Sequence, residues 1–458
     1  MIENIYLYHT NDIHSHFDYL PRIHKEIERR RLGHIERKES MFLFDIGDHL
    51  DRFHPLTEAT LGKENVKFLN EGRYDAVTIG NNEGITLSHH DLDQLYSEAK
   101  FDCLLANLYK MDGTRPNWAQ PYQIYETLYG TKIGVIGVTV NYTNFYEPLY
   151  WKITDPFEEI KNILPIVKEQ SDIIVILSHL GLSEDERMAE EFQDIDIILG
   201  AHTHHVLENG KMINDTLVCC TGKYGDHLGV VNIYFDKEKN KIVEKNAALI
   251  ASKDLPVQEY EEQMKTDLYL KGKELLQSEV CYLPERLEVN WFKENELIQL
   301  LCEALTEWCQ ADCSFVNAGV LLQGLNQGII TEFDIHNICP HPINPCKVTL
   351  TGSELKEILV QIKKDEYASL EFIGLGFRGK VMGTMIFDQI EMSGEGSQVQ
   401  IKIKGEELQP NQTYSLATID LLTFARFYPQ FTRNEKHFYL PEFIRDVLKW
   451  KLTKTYPI

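Results

Sequence analysis

Long apolar runs are missing from this 458-residue chain, so no bilayer-spanning helix is expected. The opening residues, Met1-Ile2-Glu3-Asn4-Ile5-Tyr6, carry neither a basic segment nor a hydrophobic stretch, which predicts no secretory signal. Cationic excess is missing too: 46 Lys and Arg stand against 70 Asp and Glu, a formal charge of −24. That argues against binding of nucleic-acid polymers or anionic membranes, both of which need a positive surface. A small anionic substrate stays open, because a few local cations can overcome the global field. A cysteine framework is also absent: the nine cysteines are odd in number and follow no repeating spacing. Free thiols in a reducing, cytoplasmic setting are the expectation. Cys302, Cys309 and Cys313 fall at helical spacing and could ligate zinc, but with no CxxC pair they read as small core hydrophobes. No internal repeat or low-complexity tract is visible.

What is present is an ordinary globular composition, 43% hydrophobic and 25% charged, on a chain long enough for two domains. Up to about residue 250, apolar runs alternate with helix-like segments, the rhythm of a layered α/β architecture. Residues 255–280 read as a linking helix, because Val257 to Gln277 is rich in Glu, Gln, Lys and Leu without proline. From 281 to 458 the pattern is α+β. Helices are predicted over Glu294–Trp308 and Ser353–Lys363, the latter with Ser353 as N-cap. Short β runs surround them at Ser314–Asn317, Lys347–Leu350, Gln398–Ile403 and Tyr414–Ala417. The predicted domains are therefore 1–254 and 281–458.

The first half holds the chemistry. Five clusters of metal-type ligands each follow an apolar run: Asp12-Ile13-His14, Gly47-Asp48, Gly80-Asn81, Ser178-His179 and His202-Thr203-His204. The runs are Ile5–Tyr8, Met41–Phe44, Ala76–Ile79, Ile173–Leu177 and Ile195–Leu199. Buried strands ending in polar loops gather their last residues at one sheet edge. Two Asp, one Asn and four His suit two divalent cations, and mixed N/O ligation favours Mn, Zn or Fe over Mg or Ca. Asp48 is the candidate bridge. Asp12, His14 and His204 complete one cation site, and Asn81, His179 and His202 the other. Residues two apart at a strand end point the same way, which would converge Asp12 with His14 and His202 with His204. Such a centre lowers the pKa of water and offsets charge in an in-line displacement, so phosphoester hydrolysis by a hydroxide held between the metals is expected.

His9-Thr10-Asn11-Asp12-Ile13-His14, Gly47-Asp48, Gly80-Asn81, Ser178-His179 and Gly200-Ala201-His202-Thr203-His204 resemble the calcineurin-like metallophosphoesterases. Within them the chain is similar to the 5′-nucleotidase and 2′,3′-cyclic nucleotide phosphodiesterase family. The likeness continues through Asn317-Ala318-Gly319, Ile330-Thr331-Glu332 and Val348-Thr349-Leu350-Thr351-Gly352. It implies a four-layer α/β/β/α metallophosphoesterase sandwich followed by an α+β C-terminal 5′-nucleotidase-type domain that supplies the nucleoside pocket. It also implies a small-molecule phosphoester substrate, nucleotide-like.

The chain departs from that family where the catalytic His is expected, since Gly80-Asn81 is followed by Asn82. Asn82 can donate a hydrogen bond to a transition-state oxygen but cannot shuttle a proton. Asn82 and His204 are the candidate catalytic residues. His49, His54, His89 and His90 are nearby in sequence and read more simply as loop or surface histidines. In the second half the family's pocket arginine is replaced at Leu322, its Pro-Phe-x-Asn appears as Pro340-His341-Pro342-Ile343-Asn344, and its last stretch becomes Phe424 to Tyr428. Gly374 to Gly379 offers a glycine-rich anion loop with Arg378 as a fork, or a plain hairpin turn. Asn317, Gly319, His341, Asn344, Arg378 and Phe424 are the candidate substrate contacts. Two alternatives to the phosphoesterase reading remain at this point: a metal-retaining binding protein with catalysis lost at Asn82, or a hydrolase of non-nucleotide esters, sulfur esters included.

Overall fold

A computed structural model gives the fold, describing residues 1–363, 368–372, 374, 376–394, 399–424 and 427–458. The chain divides into two compact units, Met1–Gly272 and Lys273–Ile458. The boundary falls inside the helix Glu261–Leu275, within the segment read as a linker. Met264 and Leu268 pack against Phe17, Leu20 and Phe68 of the first unit. A Cβ on Gly272 would lie 2.3 Å from the Leu56 backbone nitrogen, so only glycine allows that close approach.

The first unit is a pair of six-stranded sheets. One runs, in spatial order, Lys241–Ala251, His227–Asp236, Ile2–Thr10, Ser40–Asp45, Ala76–Val77 and Asp102–Cys103. The other runs Lys211–Ile213, Thr216–Cys220, Ile197–Gly200, Ile173–His179, Lys132–Thr139 and Tyr122–Glu126. In each, the central strands are parallel; antiparallel strands close one margin of the first sheet and both margins of the second. Alternation along the strands explains the layering. Ile173, Val175 and Leu177 face inward to meet Ile5, Leu7 and Phe44 of the opposite sheet. Ile174 and Ile176 face outward, under Ile160, Leu164 and Val167 of the helix Pro156–Lys168 and Met188 of Leu182–Glu191. Asp155 starts the first of these helices, its carboxylate accepting from the amides of Phe157 and Glu158. A strand buried on both faces reads as a continuous apolar run, which is how Ile173–Leu177 looks in the sequence. The result is the expected α/β/β/α order. Ala76–Ile79, by contrast, is strand only over Ala76–Val77.

The second unit carries a five-stranded mixed sheet ordered Met385–Asp388, Cys313–Asn317, Thr413–Ile419, Pro345–Thr351 and Lys436–Phe438. Helices Glu296–Cys309 and Ile444–Thr455 accompany it, with Trp308 and Trp450 in edge contact at 5.5 Å. The helix predicted from Ser353 is Gly352–Ile362, and its N-cap is Thr351. Thr351 Oγ1 accepts the Glu354 amide while the Glu354 carboxylate accepts the Thr351 amide, a reciprocal box that Ser353 cannot form from inside the helix. Gln398, the start of one predicted strand, lies outside the described residues, and the strand runs Gln400–Ile403. All nine cysteines are buried and none forms a disulfide. Cys302 contacts Ser314 and the Ile386 carbonyl within the core. Among the described residues, no helix is long and apolar enough to cross a membrane.

Candidate metal centre

All five clusters lie at the carboxyl ends of parallel strands, three from one sheet and two from the other. Backbone hydrogen bonds lace the loops together: Asp12 N–H to Gly47 O, His14 N–H to Asp48 O and Ser15 N–H to His49 O. Five of the seven predicted ligands have left-handed backbones, with φ of 50° at Asp12, His14 and Asp48, 72° at His202 and 57° at His204. Convergence therefore comes from tight turns and not from the extended alternation inferred from the sequence. Positive φ on non-glycine residues costs energy and collects at functional sites.

The ligand-type atoms form two groups, Asp12 with His14 and His204, and Asp48 with His179 and His202, each with its atoms within 4.8 Å of one another. His14 Nε2 and His204 Nε2 face each other at 3.2 Å, and lie 3.6 and 3.4 Å from Asp12 Oδ1. Asp48 Oδ2 adjoins both groups, 3.7 Å from His14 Nε2 and 3.5 Å from His179 Nε2. The other atoms of these side chains are spoken for. Asp12 Oδ2 accepts from Asn11 Nδ2 and the His202 amide, and His179 Nδ1–H donates to the Ile46 carbonyl at 2.7 Å. That leaves Asp12 Oδ1, Asn81 Oδ1 and His179 Nε2 buried without a hydrogen-bond partner. Buried polar atoms without partners are costly, and these three are lone-pair donors suited to a divalent cation.

Electrostatics agree. Burial alone would lower the His14 pKa, but the Asp12 and Asp51 carboxylates raise it well above the usual imidazole range. Burial likewise opposes a charged His179, yet Asp48 lifts it to about 9. Burial would raise Asp12, and the adjacent His14 and His204 imidazoles hold it far below the carboxylate range instead. His202 is pushed down to about 4 by burial and by its cationic neighbour His179. The carboxylates thus demand positive charge at this edge, which protons or divalent cations can supply.

Several supporting residues went unassigned in the sequence. Glu83 accepts the amides of Gly80, Asp48 and Leu50 at 2.8, 2.9 and 3.0 Å, tying two ligand loops together. Burial and the Asp48 charge push its pKa up to about 7. Gly80 passes so close that a Cβ would lie 2.0 Å from Asp48 Oδ1. Tyr142 Oη is 3.0 Å from His202 Nε2. Its signal was its place just after Lys132–Thr139, another parallel strand opening on the same edge. Asp51 had no motif to reveal it. Asn82 is buried, its amide nitrogen 3.0 Å from Asp48 Oδ2 and 2.9 Å from His14 Nδ1.

The nearby histidines do other work. His49 lies in a loop, as read, and is buried there beside Asn65. His54 caps the helix Pro55–Thr60, and His89 stacks on Trp151 at 4.0 Å. In the second unit, Asn317, Gly319, His341 and Asn344 are buried. His341 spends both ring nitrogens on backbone, at Val320 O and Arg378 N–H, and stacks on Phe377. Asn317 Nδ2 donates to Met382 O, and Asn344 Nδ2 to Glu442 O. A Cβ on Gly319 would lie 1.9 Å from Val381 O. Arg378 is half-buried and Phe424 is 38% exposed. Leu375, Ala425 and Arg426, inside two of the quoted stretches, lie outside the described residues, and Phe427 and Tyr428 are core.

Residues 5–206 match the calcineurin-like phosphoesterase family and residues 277–427 the 5′-nucleotidase C-terminal domain. The chain is 43% identical over 99% of its length to an uncharacterized metallophosphoesterase, YunD, of Bacillus subtilis, covering 100% of that protein. This chain belongs to the calcineurin-like metallophosphoesterases of the 5′-nucleotidase type. It is 25% identical to the snake venom 5′-nucleotidase of Crotalus adamanteus over 76% of this chain and 68% of that one. The fold is similar to that of a candidate 5′-nucleotidase from Staphylococcus aureus, crystallised with alpha-ketoglutarate. The TM-score is 0.72 at 20% identity, covering 98% and 97% of the two chains. Membership makes the protein a metal-dependent phosphoester hydrolase.

Proposed function

We propose that the first unit holds two divalent cations, Mn, Zn or Fe, and that the chain hydrolyses a nucleotide-type phosphate ester in the cytoplasm. A 5′-nucleotidase and a 2′,3′-cyclic nucleotide phosphodiesterase are the two activities in view. The observation that carries this reading is the trio of buried, unpartnered lone-pair atoms on Asp12, Asn81 and His179. Asp12, His14 and His204 would hold one cation, Asn81, His179 and His202 the other, with Asp48 shared. Cations there supply Lewis acidity that lowers the pKa of water and offsets charge as phosphorus is displaced. The protein residues orient and enclose. Glu83 fixes the loops carrying Asp48 and Asn81, and Asn82 Nδ2 donates to Asp48. The His204 side chain, 32% exposed, would be open to a bound phosphate. In the second unit, Asn317, Gly319, His341, Asn344, Arg378 and Phe424 are the proposed substrate contacts, and of these Arg378 and Phe424 are not buried. Nine buried, unpaired thiols support a reducing location.

The test is Mn²⁺-loaded protein assayed against 5′-nucleotides, 2′,3′-cyclic nucleotides and bis-p-nitrophenyl phosphate. Turnover is expected on at least one, and Asp48→Asn should bring it to background. A protein that binds two cations yet cleaves none of a broad ester panel would overturn the reading.

A further inference from the structure

Asp51 lies outside every ligand cluster, yet it is 1% exposed beside one of them. Its amide donates to Ser15 Oγ at 2.8 Å and its Oδ1 accepts the Phe53 amide at 3.0 Å. Those two contacts hold the Asp51 backbone and one of its carboxylate oxygens. Its other oxygen, Oδ2, is then held 3.3 Å from His14 Nδ1. The opposite nitrogen of that ring, Nε2, faces Asp12 Oδ1 and His204 Nε2.

A neutral imidazole that ligates through Nε2 must carry its proton on Nδ1, and the partner of that proton orients the ring. Two groups face Nδ1. One is Asn82 Nδ2 at 2.9 Å, a donor that gives one hydrogen to Asp48 Oδ2 and can give its other to Nδ1 only while that nitrogen is unprotonated, so it is no acceptor for Nδ1–H. The other is Asp51 Oδ2. We infer that Asp51 is a positioning residue: it accepts Nδ1–H of His14 and so presents Nε2 to the cation that His14 shares with Asp12 and His204. This rests on the two-cation reading above. It adds that the two sites depend unequally on Asp51, since its partner His14 belongs to the group with Asp12 and His204.

Calorimetric Mn²⁺ titration of the full chain tests it. The parent protein should bind two ions. Asp51→Asn keeps an oxygen for the Phe53 amide but loses the acceptor for Nδ1–H. One of the two affinities should fall by about 10–100-fold, the range for losing such an outer partner, with the other unchanged. Asp51→Glu, which retains a carboxylate, should recover part of the loss. Two unweakened sites in Asp51→Asn would overturn the inference, as would Asp51→Glu and Asp51→Asn being equally impaired. A parent protein binding no Mn²⁺ would instead strike the two-cation reading itself.

Discussion

At the scale of single residues, Asn82 shows how much one side chain can redirect. Its amide is turned inward between Asp48 and His14, so it strengthens the ligand set and offers no proton to a leaving group. Loss of general acid catalysis typically costs about 10²–10⁴-fold, most for poor leaving groups. Asn82→His should therefore raise kcat on alkyl phosphate esters by about 10²-fold while leaving nitrophenyl esters nearly unchanged. Equal effects on both classes would show that proton supply was never the deficit. The ligands themselves were legible because Asp, Asn and His after apolar runs are a chemical signature. Asp51, Glu83 and Tyr142 were not, because their roles depend on contacts between loops far apart in sequence: Glu83 meets Leu50 across 33 positions.

At the scale of elements, the strands were legible where burial on two faces made them long and apolar, as at Ile173–His179. The two-residue strand Ala76–Val77 shows the limit, since so short a piece has no period of its own. The left-handed turns were invisible for a related reason: Asp12, His14 and Asp48 adopt φ of 50° because interloop hydrogen bonds hold them there, not because of local propensity. Gly137, inside Lys132–Thr139 of one sheet, lies against the residue that follows Asp102–Cys103 of the other. A Cβ there would lie 2.0 Å from Leu104 O, a backbone atom that cannot swing aside. Gly137→Ala should cost the first unit about 2 kcal/mol and lower its Tm by about 4–8 °C, read by calorimetry. An unchanged Tm would mean that the sheets can part without penalty.

At the scale of the whole molecule, two compact units divide the labour unequally. The candidate cation ligands all belong to Met1–Gly272, and none to Lys273–Ile458. A ligand that binds only the folded state stabilises it by about 2.7 kcal/mol per site at a hundredfold excess over Kd. A chelator should therefore lower one calorimetric transition and leave the other in place. A single transition that moves as a whole would mean that the units melt together. The two-unit architecture was readable from the change of rhythm near residue 255, whereas the division inside a helix was not, because Gly272 meets Leu56 only once both are folded.

The thiols give each unit its own clock. Cys103, Cys219 and Cys220 are shut inside the first unit, and Cys281, Cys302, Cys309, Cys313, Cys339 and Cys346 inside the second. Burial pushes Cys219, Cys309, Cys313 and Cys339 up to about 12 and raises Cys302 as well, so in the closed fold they are neither accessible nor ionised. Alkylation of any of these cysteines must wait for its surroundings to open, and peptide mapping of the modified sites would time the breathing of each half without a single engineered label.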